Sequence, residues 1–172
     1  MPRPQPTEAA SYYWEYIDLI TSDEIVPVIK SQLDETLQFL QGISEEQSLQ
    51  TYAPGKWTIR EVLNHVNDGE RVFVGRAFWF ARGFQDPLPS FDQELAVQVA
   101  QANQTPWSEL VDEFRNVRLG TISFFNSLPS EAWGRTGTAS DNPFTVRALA
   151  YIIAGHLAHH KKVLREKYGI TG

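Results

Sequence analysis

The amino-acid sequence predicts an all-α protein built as a four-helix bundle. Apolar residues recur at helical spacing in four long segments, turns rich in Gly and Pro separate these segments, and no segment shows a convincing strand-like alternation. The chain has 172 residues, of which 42% are hydrophobic, and this is enough to bury one substantial core. We therefore expect residues 1–172 to form a single domain.

The first predicted helix follows an irregular aromatic opening, SYYWEY, and runs to Gly42. Its apolar face consists of residues at helical spacing, namely Ile29, Leu33, Leu37 and Leu40. Pro27 is compatible with this helix because it falls in the first turn, where a backbone N–H is not needed.

The second predicted helix has the clearest start. Thr58 and Glu61 have the spacing of a capping box, in which each side chain binds the backbone N–H of the other residue. Trp57 precedes this cap and is typical of a hydrophobic staple. The apolar pattern continues to Gly83, a residue that commonly ends a helix.

The third and fourth predicted helices complete the bundle. Thr105 is the expected N-cap of the third, with Pro106 at its first helical position, and the helix ends before Pro129. The fourth starts near Thr145, after the turn-forming GTASDNP, and ends around Tyr168. Long connections follow the second and third helices, so the layout need not be a simple up-and-down bundle.

Composition excludes several classes of function. Lys and Arg total 15 against 21 Asp and Glu, and an acidic chain with a formal charge of -6 and no basic block is a poor candidate for nucleic-acid binding. No apolar run reaches the roughly 20 residues of a membrane span, and the N-terminus lacks the apolar core of a signal peptide. We expect a soluble cytoplasmic protein. Because there are no cysteines, any metal must be held by His and carboxylates.

The histidines are concentrated in the last helix. Its inward stripe advances in steps of three and four residues through Val146, Leu149, Ile153, His156, His160 and Val163. His156 and His160 thus occupy core positions one turn apart, whereas His159 falls off the stripe. Two buried histidines are costly unless their ring nitrogens have partners, which a metal ion would supply. The alternative is that they hydrogen-bond to each other or to neighbouring polar side chains.

A third inward histidine lies on the second helix. His65 stands between Val62 and Val66, and Gly69 removes a side chain one turn later. A helical Gly costs about 1 kcal/mol relative to Ala, so the gap needs a reason, and room for a ligand is one. Three neutral imidazoles with an open position would describe a catalytic metal site rather than a structural one.

Other polar and aromatic residues near His65 have two interpretations each. Asp68 either orients His65 or is a surface acid, and Glu70 is the other nearby carboxylate. Four arginines either bind the carboxylates of a small thiol or form surface salt bridges: Arg60, Arg71, Arg76 and Arg147. The run RVFVGRAFWFARGF has more aromatic residues than one inward face can take, because residues 78–80 cannot all point the same way. The remaining aromatic side chains would cover the N-terminal SYYWEY segment, line a substrate pocket or form a dimer interface.

The sequence resembles the DinB-like family of metal-binding four-helix bundles. The similarity lies in YAPGKWTIREVLNHV at the start of the second helix and in FTVRALAYIIAGHLAHH in the last. The resemblance implies a divalent metal, zinc or nickel, held by His65, His156 and His160, with His159 as the adjacent histidine that is usually not a ligand. It also implies a low-molecular-weight thiol as a possible co-substrate, since the family includes thiol-dependent transferases and an isomerase.

Three functional hypotheses follow. The leading one is a thiol-dependent S-transferase acting on a small electrophilic substrate, because a divalent ion lowers the pKa of a bound thiol. The second is a metal-dependent hydrolase, in which water takes the place of the thiol. The third is a non-catalytic metal-binding stress-response module, which would have a closed coordination sphere and no adjacent cavity. A homodimer is possible in each case.

Overall fold

The computed structural model describes residues 2–171, and its helices, in chain order, are α1 (Trp14–Ile17), α2 (Ile25–Gln41), α3 (Ile59–Ala81), α4 (Gln93–Ala100), α5 (Trp107–Asn126) and α6 (Val146–Glu166). The predicted domain of residues 1–172 also includes Met1 and Gly172, which lie outside the described residues. Short 3₁₀ turns lie at Pro6–Glu8, Ser11–Tyr13, Gln47–Leu49, Ala102–Gln104 and Ser130–Gly134. The four predicted long helices are α2, α3, α5 and α6, so the helical-bundle fold is confirmed.

The boundaries of α3 and α5 follow from their caps. The Thr58 hydroxyl accepts from the Glu61 N–H at 3.1 Å and the Glu61 carboxylate accepts from the Thr58 N–H at 2.7 Å, which confirms the predicted capping box. The predicted N-cap of α5, Thr105, is wrong by one residue. The Pro106 carbonyl accepts the first helical hydrogen bond, from the Leu110 N–H at 3.2 Å, so Pro106 is the N-cap.

The bundle does not follow the up-and-down order of its chain. Helix α3 packs against α5 and α6, and α2 packs against the same two helices. Helices α2 and α3, although consecutive among the long helices, therefore lie diagonally across the bundle, as do α5 and α6. This arrangement needs the long connections that the sequence predicted.

The connection between α5 and α6 contains a β-hairpin, which the sequence analysis did not predict. Strands β1 (Thr136–Ala139) and β2 (Asn142–Thr145) pair antiparallel around a turn in which Ser140 and Asp141 both have positive φ, 51° and 59°. Such a two-residue turn matches the twist of a hairpin. The expectation of no strands was wrong because four residues are too few to show an alternating pattern.

The core of the bundle has two apolar clusters. One contains Phe73, Phe80 and Tyr151, and the other contains Phe39, Trp107 and Phe114. Each of the four long helices also buries a polar side chain: Gln32, Glu70, Arg118 and His156. Within the described residues, no helix is long and apolar enough to cross a membrane.

Candidate metal centre

The three predicted histidines meet in the interior of the bundle. His65 projects from α3, and His156 and His160 project from successive turns of α6. His65 Nε2 lies 3.0 Å from His156 Nε2, and His160 Nε2 lies 3.1 Å from the same atom. One ring nitrogen from each residue lies within 4.8 Å of the other two, so the sequence-based stripe did identify side chains that converge.

The spacing of these nitrogens fits a divalent ion. Zinc binds imidazole nitrogen at about 2.0–2.1 Å in tetrahedral geometry, which separates neighbouring ligand nitrogens by about 3.3 Å. The observed separations of 3.0 and 3.1 Å are close to that value. Three neutral nitrogen donors would also leave at least one position of a tetrahedral ion for an external ligand.

Burial keeps the imidazoles in the form that binds metals. Desolvation lowers the pKa of His65 to about 4 and that of His160 to about 3, with a smaller contribution from the neighbouring histidines. The pKa of His156 is lowered well below its usual value, again mainly by burial. All three rings are therefore neutral at pH 7, and each can offer a lone pair.

Aromatic packing holds the rings in place. The His65 ring lies 4.9 Å from the Trp57 ring, and the His156 ring lies 5.4 Å from Tyr16 and 5.8 Å from Phe73. His65 Nδ1 is buried, and no residue in 2–171 hydrogen-bonds to it. Trp57 was predicted only as a hydrophobic staple, but its ring also packs against His65, two turns into α3.

Gly69 provides space for a protein side chain. A Cβ at this position would lie 3.0 Å from His156 Cε1 and 3.4 Å from His156 Nδ1. The glycine therefore accommodates the imidazole of His156, which takes up part of the room that the sequence analysis assigned to an external ligand. Gly69 still forms part of the wall of a cavity beside the ring.

Two cavities approach the histidines from different sides. The first, about 80 Å³, reaches His65 and His156, and its walls are mainly aromatic, from Tyr12, Tyr13, Tyr16, Phe73 and Phe91. The second, about 270 Å³, reaches His160 and is lined by Tyr52, Lys56, Trp57, Glu94 and Tyr168. The segment around α4 contributes to both cavities through Gln93 and Glu94. The sequence analysis assigned no site residue to this segment.

The carboxylates near His65 on α3 do not contact the histidines. Asp68 accepts hydrogen bonds from Asn64 Nδ2 at 2.9 Å and from Arg71 Nη1 at 3.1 Å, so it does not orient His65. Glu70 faces α5, where its carboxylate lies 2.8 Å from Arg118 Nη2. The remaining histidine, His159, packs edge-on against Tyr16 with ring centroids 5.3 Å apart and stays outside the converging group.

Three of the four arginines predicted as carboxylate ligands are engaged by the protein itself. Arg60 pairs with Glu45, Arg71 with Glu113 and Arg147 with Glu8. This outcome agrees with the salt-bridge interpretation for these three residues. Arg76 differs, since it lines the first cavity together with His65 and His156.

The fold and the site together define a class of protein: a four-helix bundle in which histidines of two helices converge. A model of the DinB superfamily matches residues 29–164, most of the chain. The protein therefore belongs to the DinB superfamily, as the resemblance predicted. A search of curated proteins finds no match.

Solved structures show the same fold. YfiT from Bacillus subtilis, described as a probable metal-dependent hydrolase with an unusual four-helix bundle topology, is 14% identical, with 94% of this chain and 91% of YfiT covered and a TM-score of 0.66. A mycothiol-dependent maleylpyruvate isomerase is 10% identical over 84% of this chain, with a TM-score of 0.69. The chain spans only 61% of that isomerase. At these identities the likeness establishes the fold alone.

Proposed function

We propose that this protein is a divalent-metal-dependent enzyme whose metal ligands are His65, His156 and His160, and that it transfers a low-molecular-weight thiol to a small electrophile. The observation that carries the proposal is the convergence of three neutral imidazoles that line two cavities. A purely structural site would be closed by a fourth protein ligand, whereas here cavities reach the histidines. This openness argues against the non-catalytic stress-response module.

The chain's own residues would supply binding and orientation. When bound, a divalent ion such as zinc or nickel would lower the pKa of a thiol or of water at its open position. The aromatic walls of the first cavity would hold an apolar substrate and exclude water from its reacting end. Separate cavities on His156 and His160 would allow a thiol and an electrophile to enter from different sides.

The similar structures support metal chemistry without deciding between thiol and water. One is named as a mycothiol-dependent isomerase and another as a probable metal-dependent hydrolase. Hydrolysis is the second candidate because Glu94 lines the same cavity as His160 and its carboxylate would serve as a general base. A Glu94→Gln variant separates the two, since it should abolish hydrolysis and spare thiol transfer.

The test begins with metal content. Purified untagged protein, stripped with a chelator and then equilibrated with zinc or nickel, should hold close to one ion per chain by elemental mass spectrometry. His65→Ala, His156→Ala and His160→Ala should each lose it, and His159→Ala should retain it as the matched control. A wild type that binds neither ion would return the histidines to core packing and overturn the proposal.

The second stage measures turnover. A chlorinated aromatic electrophile is supplied with glutathione, bacillithiol or mycothiol, and with no thiol. The transferase proposal predicts metal-dependent conjugation with at least one thiol that is absent from the three histidine variants. Failure with all of these thiols, combined with metal-dependent ester cleavage, would favour the hydrolase.

A further inference from the structure

Arg76 is a buried guanidinium without a carboxylate partner, and it lines the cavity that reaches His65 and His156. We propose that Arg76 binds the carboxylate of a small-molecule ligand whose apolar body lies between the aromatic walls of this cavity. The inference rests on the proposed function for its chemical meaning, because the ligand's other end would lie at the metal centre.

The other buried arginines show what is missing at Arg76. Three arginines are less than 5% exposed, namely Arg60, Arg76 and Arg118. Arg60 pairs with Glu45, and Arg118 pairs with Glu70. Within residues 2–171, no carboxylate lies within ion-pair distance of Arg76. Unlike Arg118 Nε, the Nε and Nη1 atoms of Arg76 are open to the cavity, where an anion that arrives with a ligand would supply the missing counter-charge.

The guanidinium of Arg76 is held in position and still has free donors. Its Nη2 donates to the Pro89 carbonyl at 3.1 Å and to the Ser140 hydroxyl at 2.9 Å. Arg carries five N–H donors, and Nε and Nη1 have no hydrogen-bond partner among the described residues. The planar edge formed by Nε and Nη1 has the geometry that binds a carboxylate with two parallel hydrogen bonds. The turn of the β-hairpin therefore fixes one side of the fork and leaves the other available.

The position of Arg76 sets the length of the ligand. Arg76 follows Gly69 by seven residues, which is about two turns or 10 Å along the helix axis. Arg76, Gly69, His65 and His156 line the same cavity, so a ligand bound to the guanidinium would extend along it toward the histidines. Tyr13, Phe73 and Phe91 line the space between. The favoured ligand is thus a flat or apolar carboxylic acid whose reacting atom is several bonds from its carboxylate.

The charge of the cavity also favours an anion. Among the described residues that line it there is no Asp or Glu, although the chain as a whole has a formal charge of -6. The carboxylate could belong to the electrophile or to the thiol, since both classes include carboxylic acids. The chemistry is the same in the two cases, and the choice of probe distinguishes them.

The experiment compares an acid with its neutral isostere. Binding of benzoate and benzamide is measured by calorimetry on zinc-loaded wild type, Arg76→Gln and Arg76→Lys. The matched control is Arg82→Gln, which removes an exposed arginine of the same segment. We expect wild type and Arg82→Gln to prefer benzoate at least tenfold, Arg76→Gln to lose that preference, and Arg76→Lys to keep part of it. The lysine variant also preserves the test if the glutamine variant does not fold.

Two outcomes would overturn the inference. Equal affinities of wild type for benzoate and benzamide would show that the cavity does not recognise the charge. Benzoate binding that is unchanged in Arg76→Gln would show that the metal, not the arginine, holds the acid. In both cases zinc content would be intact, so the proposed metal centre would survive.

The converse failure is distinguishable. If the wild type takes up no metal and still binds benzoate through Arg76, the carboxylate subsite stands and the proposed function fails. To identify the source, turnover of a chlorinated aromatic carboxylic acid with glutathione is compared with its turnover with cysteamine, a thiol without a carboxylate, in wild type and Arg76→Gln. Loss of activity with glutathione alone assigns the carboxylate to the thiol, and loss with both thiols assigns it to the electrophile.

Discussion

The imidazole of His156 occupies its place between α3 and α6 because Gly69 has no side chain. The helix loses up to about 1 kcal/mol of intrinsic stability by carrying glycine at this interior position. In exchange, the His156 ring lies where its Nε2 meets those of His65 and His160. The absence of a side chain at Gly69 therefore allows the three Nε2 atoms to converge.

At this scale we predict that Gly69→Ala impairs the metal centre without unfolding the protein. The added Cβ would lie 3.0 Å from His156 Cε1, which displaces the ring by a few tenths of an ångström. Zinc affinity, measured by competition with a chromophoric chelator, should fall at least about tenfold, as changes beside metal ligands commonly do. Helix propensity acts in the opposite direction, so the melting temperature should change little.

The control for this prediction is Gly75→Ala on the same helix. No atom of the described chain lies within 4 Å of a Cβ at position 75, so the substitution should stabilise the protein by about 0.5–1 kcal/mol and leave zinc affinity unchanged. A loss of zinc affinity in both variants would mean that the effect is not a contact with His156.

At the scale of elements, the short helix α1 covers the histidines because Gly155 lets its backbone approach α6. A Cβ at position 155 would lie 2.0 Å from the Tyr16 carbonyl oxygen, a distance that backbone atoms cannot accommodate. Tyr16 in turn packs edge-on against His156 and His159. The aromatic N-terminal segment therefore forms one wall of the first cavity.

We predict that Gly155→Ala detaches α1 from the bundle. Overpacking of this kind costs about 1–3 kcal/mol, which should appear as a lower midpoint in urea denaturation and as faster proteolysis within residues 11–20. Gly120→Ala on α5 is the matched control, since its Cβ would have no neighbour within 4 Å in residues 2–171 and the substitution should stabilise the fold. Equal proteolysis of the two variants would contradict the role assigned to Gly155.

Helices α2, α3, α5 and α6 are linked by a buried polar network. Arg118 on α5 lies 2.8 Å from the Glu70 carboxylate on α3, and Gln32 on α2 donates to the Ala154 carbonyl on α6 at 2.9 Å. The Thr121 hydroxyl donates to Glu70 at 2.6 Å. This network explains why Glu70, despite its nearness to His65 in sequence, takes no part in the site.

Removing one member of the Glu70–Arg118 ion pair should lower the free energy of unfolding far more than removing both. We expect Glu70→Leu to destabilise the protein by about 3–5 kcal/mol, because it leaves Arg118 buried without a counter-charge. The double variant with Arg118→Met should recover most of that loss, as seen when buried pairs are replaced by apolar residues. Urea denaturation of the single and double variants gives the coupling energy, and simple additivity would contradict this account.

At the scale of the whole molecule, the buried histidines make stability depend on pH. The pKa of His65 is lowered to about 4 and that of His160 to about 3, against about 6.5 in an unfolded chain. Below pH 6.5 the unfolded chain therefore binds protons that the folded chain does not, and folding stability falls as the pH falls. Above pH 6.5 both states are neutral at these positions, and the dependence should disappear.

We predict that the free energy of unfolding of the metal-free protein decreases between pH 6.5 and 4.5 by up to about 1.4 kcal/mol per pH unit for each such histidine. Urea denaturation at pH 7.5, 6 and 5 measures the slope. His160→Asn should reduce it more than His159→Asn, because His159 lies outside the converging group and makes only a minor contribution to the lowered pKa of the buried rings. A flat profile in the wild type would show that the histidines are not buried in their neutral form.

The single domain and the homodimer both remain predictions. We expect residues 1–172 to form one domain, which is consistent with the bundle. In a homodimer, the interface would include Phe78 of α3, which is 43% exposed in the single chain. Analytical ultracentrifugation of the purified chain would decide the oligomeric state.

The sequence by itself determined the four long helices, the capping box at Thr58 and the inward direction of His65, His156 and His160. These features depend on short-range periodicity and on backbone groups within one helical turn, which a single chain segment specifies. The hairpin was missed because its four-residue strands are held by pairing and by contacts such as that of Gly137 with the Phe80 ring.

Only the tertiary structure decided what each of these residues meets. The His156 ring lies beside Gly69, and Glu70 forms an ion pair with Arg118 on a different helix. Arg76 has no carboxylate partner in the described chain and lines a cavity whose walls include the N-terminal segment and the connection before α4. The physical reason is that these partners lie far apart along the chain. Their contact depends on how the helices pack around one another, which the local pattern of any one segment does not specify.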